Sequence, residues 1–214
     1  MFKRCGFVNV DYLVKNKIYA EPSKILNILN RDWRKWVKPV CMFDGGGLDP
    51  FDPNFGNENA GASWYSVLVN RMIGSPFTSP ADVGTANSIT FRGRADVGTV
   101  NVKAVLVKAS DLTIVTNGIG NPVSCPTTLA WYTSTFATPP TLTPNISYVL
   151  MLIPDATFRF YYDYVAYTSK QDTTNSYASP TNPTDAGNIA DFKGSIYCSY
   201  TTLAKPLVTH VRIR

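Results

Sequence analysis

The sequence predicts an all-β fold of packed antiparallel sheets, and three observations lead there. The first is the stretch Ile146–Tyr167, ISYVLMLI-PDA-TFRFYYDYVAY, which reads as a central hairpin, two strands joined by a three-residue turn, Pro154-Asp155-Ala156. In the second strand Phe158, Phe160, Tyr162 and Tyr164 fall on one face and Arg159, Tyr161 and Asp163 on the other. That is the period-2 mark of a strand with one buried face. The first strand is apolar on both faces, with Ile146, Tyr148, Leu150 and Leu152 on one and Val149, Met151 and Ile153 on the other. Such a strand belongs at the centre of a sheet that is covered from both sides.

The second observation is composition. Charged residues make up 16% and aromatics 13%, with 12 Tyr and abundant Thr, Asn, Ser, Gly and Pro. This is the usage of a turn-rich β protein, unlike that of a helical enzyme or a disordered chain. The third is spacing: from residue 62 onward, about nine or ten segments of strand character follow one another with turn residues between them and no helical period. Together these argue for an antiparallel β-sandwich, and among sandwiches for the jelly roll, two Greek keys in two four-stranded sheets.

The chain divides into two parts: 1–58, an N-terminal arm, an amphipathic helix and a Gly/Asp/Pro-rich loop, and 59–214, the sandwich. Residues 7–20 read as a short strand or extended arm, and residues 22–37 as the helix, with Pro22 suited to its first position and Pro39 beyond its end. Ile25, Leu29, Trp33 and Trp36 recur at helical spacing as an apolar stripe, with Arg31, Arg34 and Lys35 around it. The stripe suits packing on its own domain, on a neighbouring subunit or on a membrane surface. Residues 1–40 hold nine Lys/Arg against three Asp/Glu, while 41–214 hold eleven against twelve. The net charge of +5 therefore belongs to the N-terminal segment, as a solvated face or as an arm for an acidic partner such as nucleic acid.

Within the sandwich, the expected strands are 63–69, 88–94, 99–109, 112–117, 129–136, the two of the central stretch, 195–201 and 207–214. Ile89 and Phe91 point inward in theirs, and Arg92 and Arg94 outward. The 112–117 strand pairs with 99–109 through Ser110-Asp111. Residues 74–87 read as turns, and 168–193 as a long exposed loop with room for one short strand.

The residues PFTSPADVGTANSITFRGRADVGTVNVKAVLVKASDLTIV (76–115), LAWYTSTF, LTPNISYVLMLI and FRFYYDYV follow in an order and texture that resembles the jelly-roll modules of phage and other virion surface proteins (capsid, decoration, tail-fibre). More distantly, the chain is similar to carbohydrate-binding β-sandwiches. Asn145 stands where such modules often have Gly. The resemblance implies a non-enzymatic structural or attachment role and carries over no binding residue.

Catalytic groups are scarce. The one histidine, His210, sits among apolar neighbours in the last expected strand, and Glu occurs only at 21 and 58. No phosphate-binding or nucleophile-elbow motif is present. No enzyme and no cofactor are therefore expected. Asp44, Asp49 and Asp52 are a candidate calcium set, though their spacing is not that of an EF-hand and Asp-Pro and Gly-Gly pairs make turns unaided. The four cysteines form no C-x-x-C pair; Cys5 and Cys41 suit a bridge, and Cys125 and Cys198 suit isolated buried thiols.

Exposed aromatics are the remaining candidates for function. Trp131, Tyr161, Tyr167 and Tyr177 are candidates to stack on a surface glycan. No apolar run spans a bilayer and the first residues form no signal peptide, so a chain neither membrane-spanning nor exported by the usual route is expected. The expectation is a virion-localised homo-oligomer that contacts other virion proteins through 1–58. The alternative is a glycan-binding module for attachment to a cell surface.

Overall fold

The computed structural model describes residues 53–184 and 187–203. Among them the chain forms β1 (Asn54–Gly56), β2 (Ser63–Val67), β3 (Met72–Thr78), β4 (Val83–Ala95), β5 (Thr99–Lys108), β6 (Ile114–Ile119) and β7 (Val123–Pro126). β8 (Ala130–Thr135), β9 (Ser147–Pro154), β10 (Phe158–Asp163), β11 (Thr168–Asp172), β12 (Gly187–Ala190), β13 (Lys193–Gly194) and β14 (Ile196–Thr202) follow. They make two antiparallel seven-stranded sheets with no helix among the described residues, a β-sandwich as expected. The expected arm and helix, with Ile25, Leu29, Arg31, Trp33, Arg34, Lys35 and Trp36, lie outside the described residues, as do Asp44, Asp49, Asp52, His210 and the 207–214 strand.

The pairing is nested. β5 pairs with β6 and β7, β4 with β8, β3 with β9, and β2 with β10. Lateral pairings of β4 with β10 and β5 with β9 join these pairs. The front sheet then runs β2–β10–β4–β8 and the back sheet β3–β9–β5–β6. β11 and β12 extend the back sheet beyond β3, while β13, β14 and β1 enter the front sheet.

This order corrects the central hairpin. β9 and β10 are neighbours in sequence but lie in opposite sheets. Each has a fully apolar inner face, Tyr148, Leu150 and Leu152 on one and Phe158 and Phe160 on the other, and placing them across a shared core buries both at once. The turn between them is tied to β5: the Asp155 amide donates to Asn101 O (3.0 Å), and its carboxylate accepts from Asn101 N and Nδ2, each at 2.8 Å.

The core is aromatic on the front side. Phe91 meets Phe158 edge-on at 5.8 Å, and Phe192 stacks on Tyr162 at 4.2 Å. Two glycines make room for these rings: a Cβ at Gly93 would stand 2.2 Å from the Phe158 ring, and one at Gly194 2.6 Å from that of Phe160. β9 is covered on its other face too. Val149, Met151 and Ile153 form a second apolar cluster with Met72, Val105 and Val107, and Tyr177 packs on it.

Two further expectations are corrected. Residues 74–87 read as turns because of their Gly and Pro, yet β3 runs through Gly74 and Pro76. Gly74 is needed because a Cβ there would stand 2.0 Å from Leu150 O. Pro76 is tolerated because β11 pairs only with residues 72–74, leaving that edge of β3 open where the missing N–H would point. Residues 168–193 are no open loop, since β11 and β12 pair with each other there. The segment after β11 is pinned by the buried Asp172 carboxylate, which accepts from Thr174 N (2.9 Å), Thr174 Oγ1 (3.0 Å) and Asn175 Nδ2 (2.9 Å). Asn145 has φ +58°, a conformation Gly adopts most readily and Asn next, so the Asn meets the same backbone need.

Cys125 and Cys198 are free, buried thiols, as expected. Burial, helped by the nearby charge of Asp155, pushes the Cys125 thiol from its ordinary 9.0 up to about 12. Burial raises Cys198 as well. The folded protein thus holds these protons to higher pH than the unfolded chain does, so their contribution to stability is complete below pH 9 and declines as pH rises toward 12.

Two outcomes are predicted. Phe160→Ala lowers unfolding stability by about 3–5 kcal/mol in urea titrations, the usual cost of emptying a buried aromatic site. Urea midpoints measured from pH 8 upward fall as pH passes about 9, and Cys125→Ala makes that fall shallower than in the parent.

Candidate binding face of the front sheet

The outer face of the front sheet is shaped by a fork at Ser195. β13 and β14 are one strand interrupted at this residue; β13 pairs with β10 and β14 with β4. At the fork the Ser195 amide donates to Tyr161 O and its carbonyl accepts from Arg92 N, both at 2.9 Å. Its Oγ accepts from the Gly61 amide at 2.9 Å. Beyond the fork β4 and β10 close on each other, bringing Arg94 directly opposite Arg159. Asn57 secures the approach, donating from Nδ2 to Asp163 Oδ2 (2.9 Å), Gly194 O (3.1 Å) and Lys193 O (3.3 Å).

Alternation along β2, β4, β8, β10 and β14 then fixes which side chains share the outer face. Trp64 pairs across from Tyr161, Arg92 from Trp131, and Thr90 from both Tyr197 and Thr133. The Trp131 and Tyr197 rings lie 5.5 Å apart. The Arg159 guanidinium lies 4.2 Å above Trp64 and pairs with Asp96. Arg92 lies 5.4 Å above Tyr161 and donates from Nη1 to Gly61 O (2.9 Å). A band of hydroxyl pairs borders this cluster: Thr90 with Thr133 (2.9 Å), Ser88 with Ser199 (2.8 Å) and Thr85 with Thr201 (2.6 Å).

Arg94 differs from the other two arginines. Half-buried, it forms no ion pair and no side-chain hydrogen bond among the described residues; its Nε, like that of Arg159, is enclosed without an acceptor. An enclosed donor left unpaired costs about 1–3 kcal/mol, and like charges directly opposite in a sheet repel. The described residues hold eight Lys/Arg and eight Asp/Glu, and three of those cations stand together here. The face is a positive, aromatic patch on a sandwich whose described residues are neutral in sum.

Of the four aromatics singled out in the sequence, the structure brings Trp131 and Tyr161 to this face, Tyr161 at only 9% exposure beneath Arg92. Tyr167 is elsewhere, stacked on Phe77 at 5.9 Å with its hydroxyl donating to Pro76 O. Tyr177 lies over the back sheet, with Lys103 Nζ 4.4 Å above its ring. Trp64, Tyr197 and the arginine pair were not singled out. The alternation of Arg92 and Arg94 was visible, but their juxtaposition with Arg159 and Trp64 depends on long-range pairing.

Among the described residues no group of three or more His, Cys, Asp or Glu is placed to hold a metal, and no helix is long and apolar enough to cross a membrane. No protein-family profile matches the chain, and no curated protein sequence matches it.

Proposed function

We propose that this chain is a non-enzymatic virion structural protein, a capsid, decoration or tail/fibre subunit, built on a jelly-roll sandwich. The observation that carries this reading is the strand order. Four nested antiparallel pairs, β2–β10, β3–β9, β4–β8 and β5–β6, laid side by side as β2–β10–β4–β8 and β3–β9–β5–β6, are what results when one long hairpin is rolled up. This is the double Greek key of capsid and lectin domains. The fold-level link to virions is an analogy; the resemblance over roughly residues 63–201 to virion surface modules supports it. On this reading residues 1–58 tie the sandwich to further copies of the chain and to other virion proteins, with the Trp33–Trp36 stripe as the contact and a closed symmetric oligomer as the product.

A second reading, a glycan-binding module for cell attachment, is favoured by a different observation. Trp64, Trp131 and Tyr197 lie beside hydroxyls and arginines on one sheet face, the mixture of flat apolar area and polar groups that sugars require. The two readings are compatible, since an attachment subunit is also a structural one.

The structural reading predicts that the full-length chain elutes as one discrete oligomer in size-exclusion chromatography with light scattering. Trp33→Asp combined with Trp36→Asp shifts it to monomer without unfolding the sandwich. A monomer at every concentration would contradict it.

A further inference from the structure

We propose that the outer face of the front sheet is a site for acidic glycans, in which Arg94, beside Arg159, receives a sugar carboxylate while Trp64 and Trp131 flank the sugar. The inference rests on the glycan-binding reading and adds the ligand's charge and the residue that reads it.

Arg94 and Arg159 face each other across adjacent strands, and of the two only Arg159 has a carboxylate partner among the described residues, Asp96. The described residues thus hold two cations together with one counter-charge, and enclose Nε of both without an acceptor. A second carboxylate supplied from outside removes the repulsion and gives Arg94 the planar, two-point partner its guanidinium is shaped for. The surroundings suit a sugar. Trp64 is 46% exposed on the β2 side, and Trp131 stands diagonal to Arg94 across the β4–β8 pair. Diagonal neighbours in a sheet are roughly 7–8 Å apart, close enough for one sugar with its substituents to touch both side chains. The hydroxyl band around Thr90 and Thr133 continues from Trp131 as polar surface for further sugar hydroxyls.

Charge density argues against a polyphosphate. The described residues hold as many acids as bases, and Asp96 and Asp163 border the patch. Nucleic acid, with a charge on every nucleotide, needs a broad basic surface. One guanidinium without an ion pair among the described residues matches one carboxylate.

The test uses the full-length chain in titration calorimetry against uronic-acid and sialic-acid tetrasaccharides, each beside its neutral methyl ester. At least one acid binds, its ester binds roughly tenfold to a hundredfold more weakly, and Arg94→Gln brings the acid down to the level of the ester. The melting temperature of Arg94→Gln equals or exceeds that of the parent, because a like charge directly opposite Arg159 has been removed. Equal binding of acid and ester would overturn the carboxylate site and leave the glycan reading standing. No binding to any of the four sugars would sink both. Tighter binding of an oligothymidylate, weakening steeply with salt, would assign the face to nucleic acid instead. A marked drop in melting temperature for Arg94→Gln would make that arginine part of the scaffold and overturn its assignment.

Discussion

A single strand driven between two others sets the geometry of the front sheet. Ser195 is the apex of that wedge: its amide reaches β10, its carbonyl reaches β4, and its hydroxyl holds Gly61. On one side of it β4 and β10 are held apart by the inserted strand; on the other they pair directly. In a sheet, one residue of slip would turn every side chain to the opposite face. The wedge therefore decides both that Phe158 and Phe160 enter the core and that Arg159 and Tyr161 stand outside it. Gly61 shows how tight the joint is, since a Cβ there would meet the Tyr162 carbonyl carbon at 2.2 Å. The same Gly61 accepts the Arg92 guanidinium, so joint and patch share a residue.

The rest of the sandwich supplies rigidity. β9 has apolar side chains on both faces and is buried on both, by the shared core and by the cluster under Tyr177. Nested pairing brings together strands far apart in sequence, β2 with β10 at the extreme, and such non-local topologies fold slowly and hold a fixed shape once formed. Side chains presented from such strands keep their relative positions better than side chains on loops. The patch of arginines and aromatics is thus preorganised, which lowers the cost of binding.

Much of this was legible in the residues, and the rest was not for definite reasons. Alternation placed Ile89 and Phe91 inside and Arg92 and Arg94 outside, and the two-faced apolarity of 146–153 marked a central strand, because both depend only on a local period. The partner of β10 was not legible: the short Pro154-Asp155-Ala156 turn suits a hairpin and a crossing between sheets equally, and the core decides between them. Gly74 and Pro76 read as a turn because what they accommodate, the Leu150 carbonyl and the open edge of β3, lies on other strands. For the same reason Trp131 and Tyr161 were singled out as single aromatics, while the Arg94–Arg159 pair, formed by residues far apart in the chain, was not.

β10 runs between β2 and β4, with Ser195 wedged at the point where it parts from β4. Cross-strand NOEs in an isotope-labelled sample measure this directly. Contacts are expected from Arg159 to both Ser66 and Arg94, and from Ser195 to both Tyr161 and Arg92. Contacts from β10 to β9 in the register of a simple hairpin would contradict it.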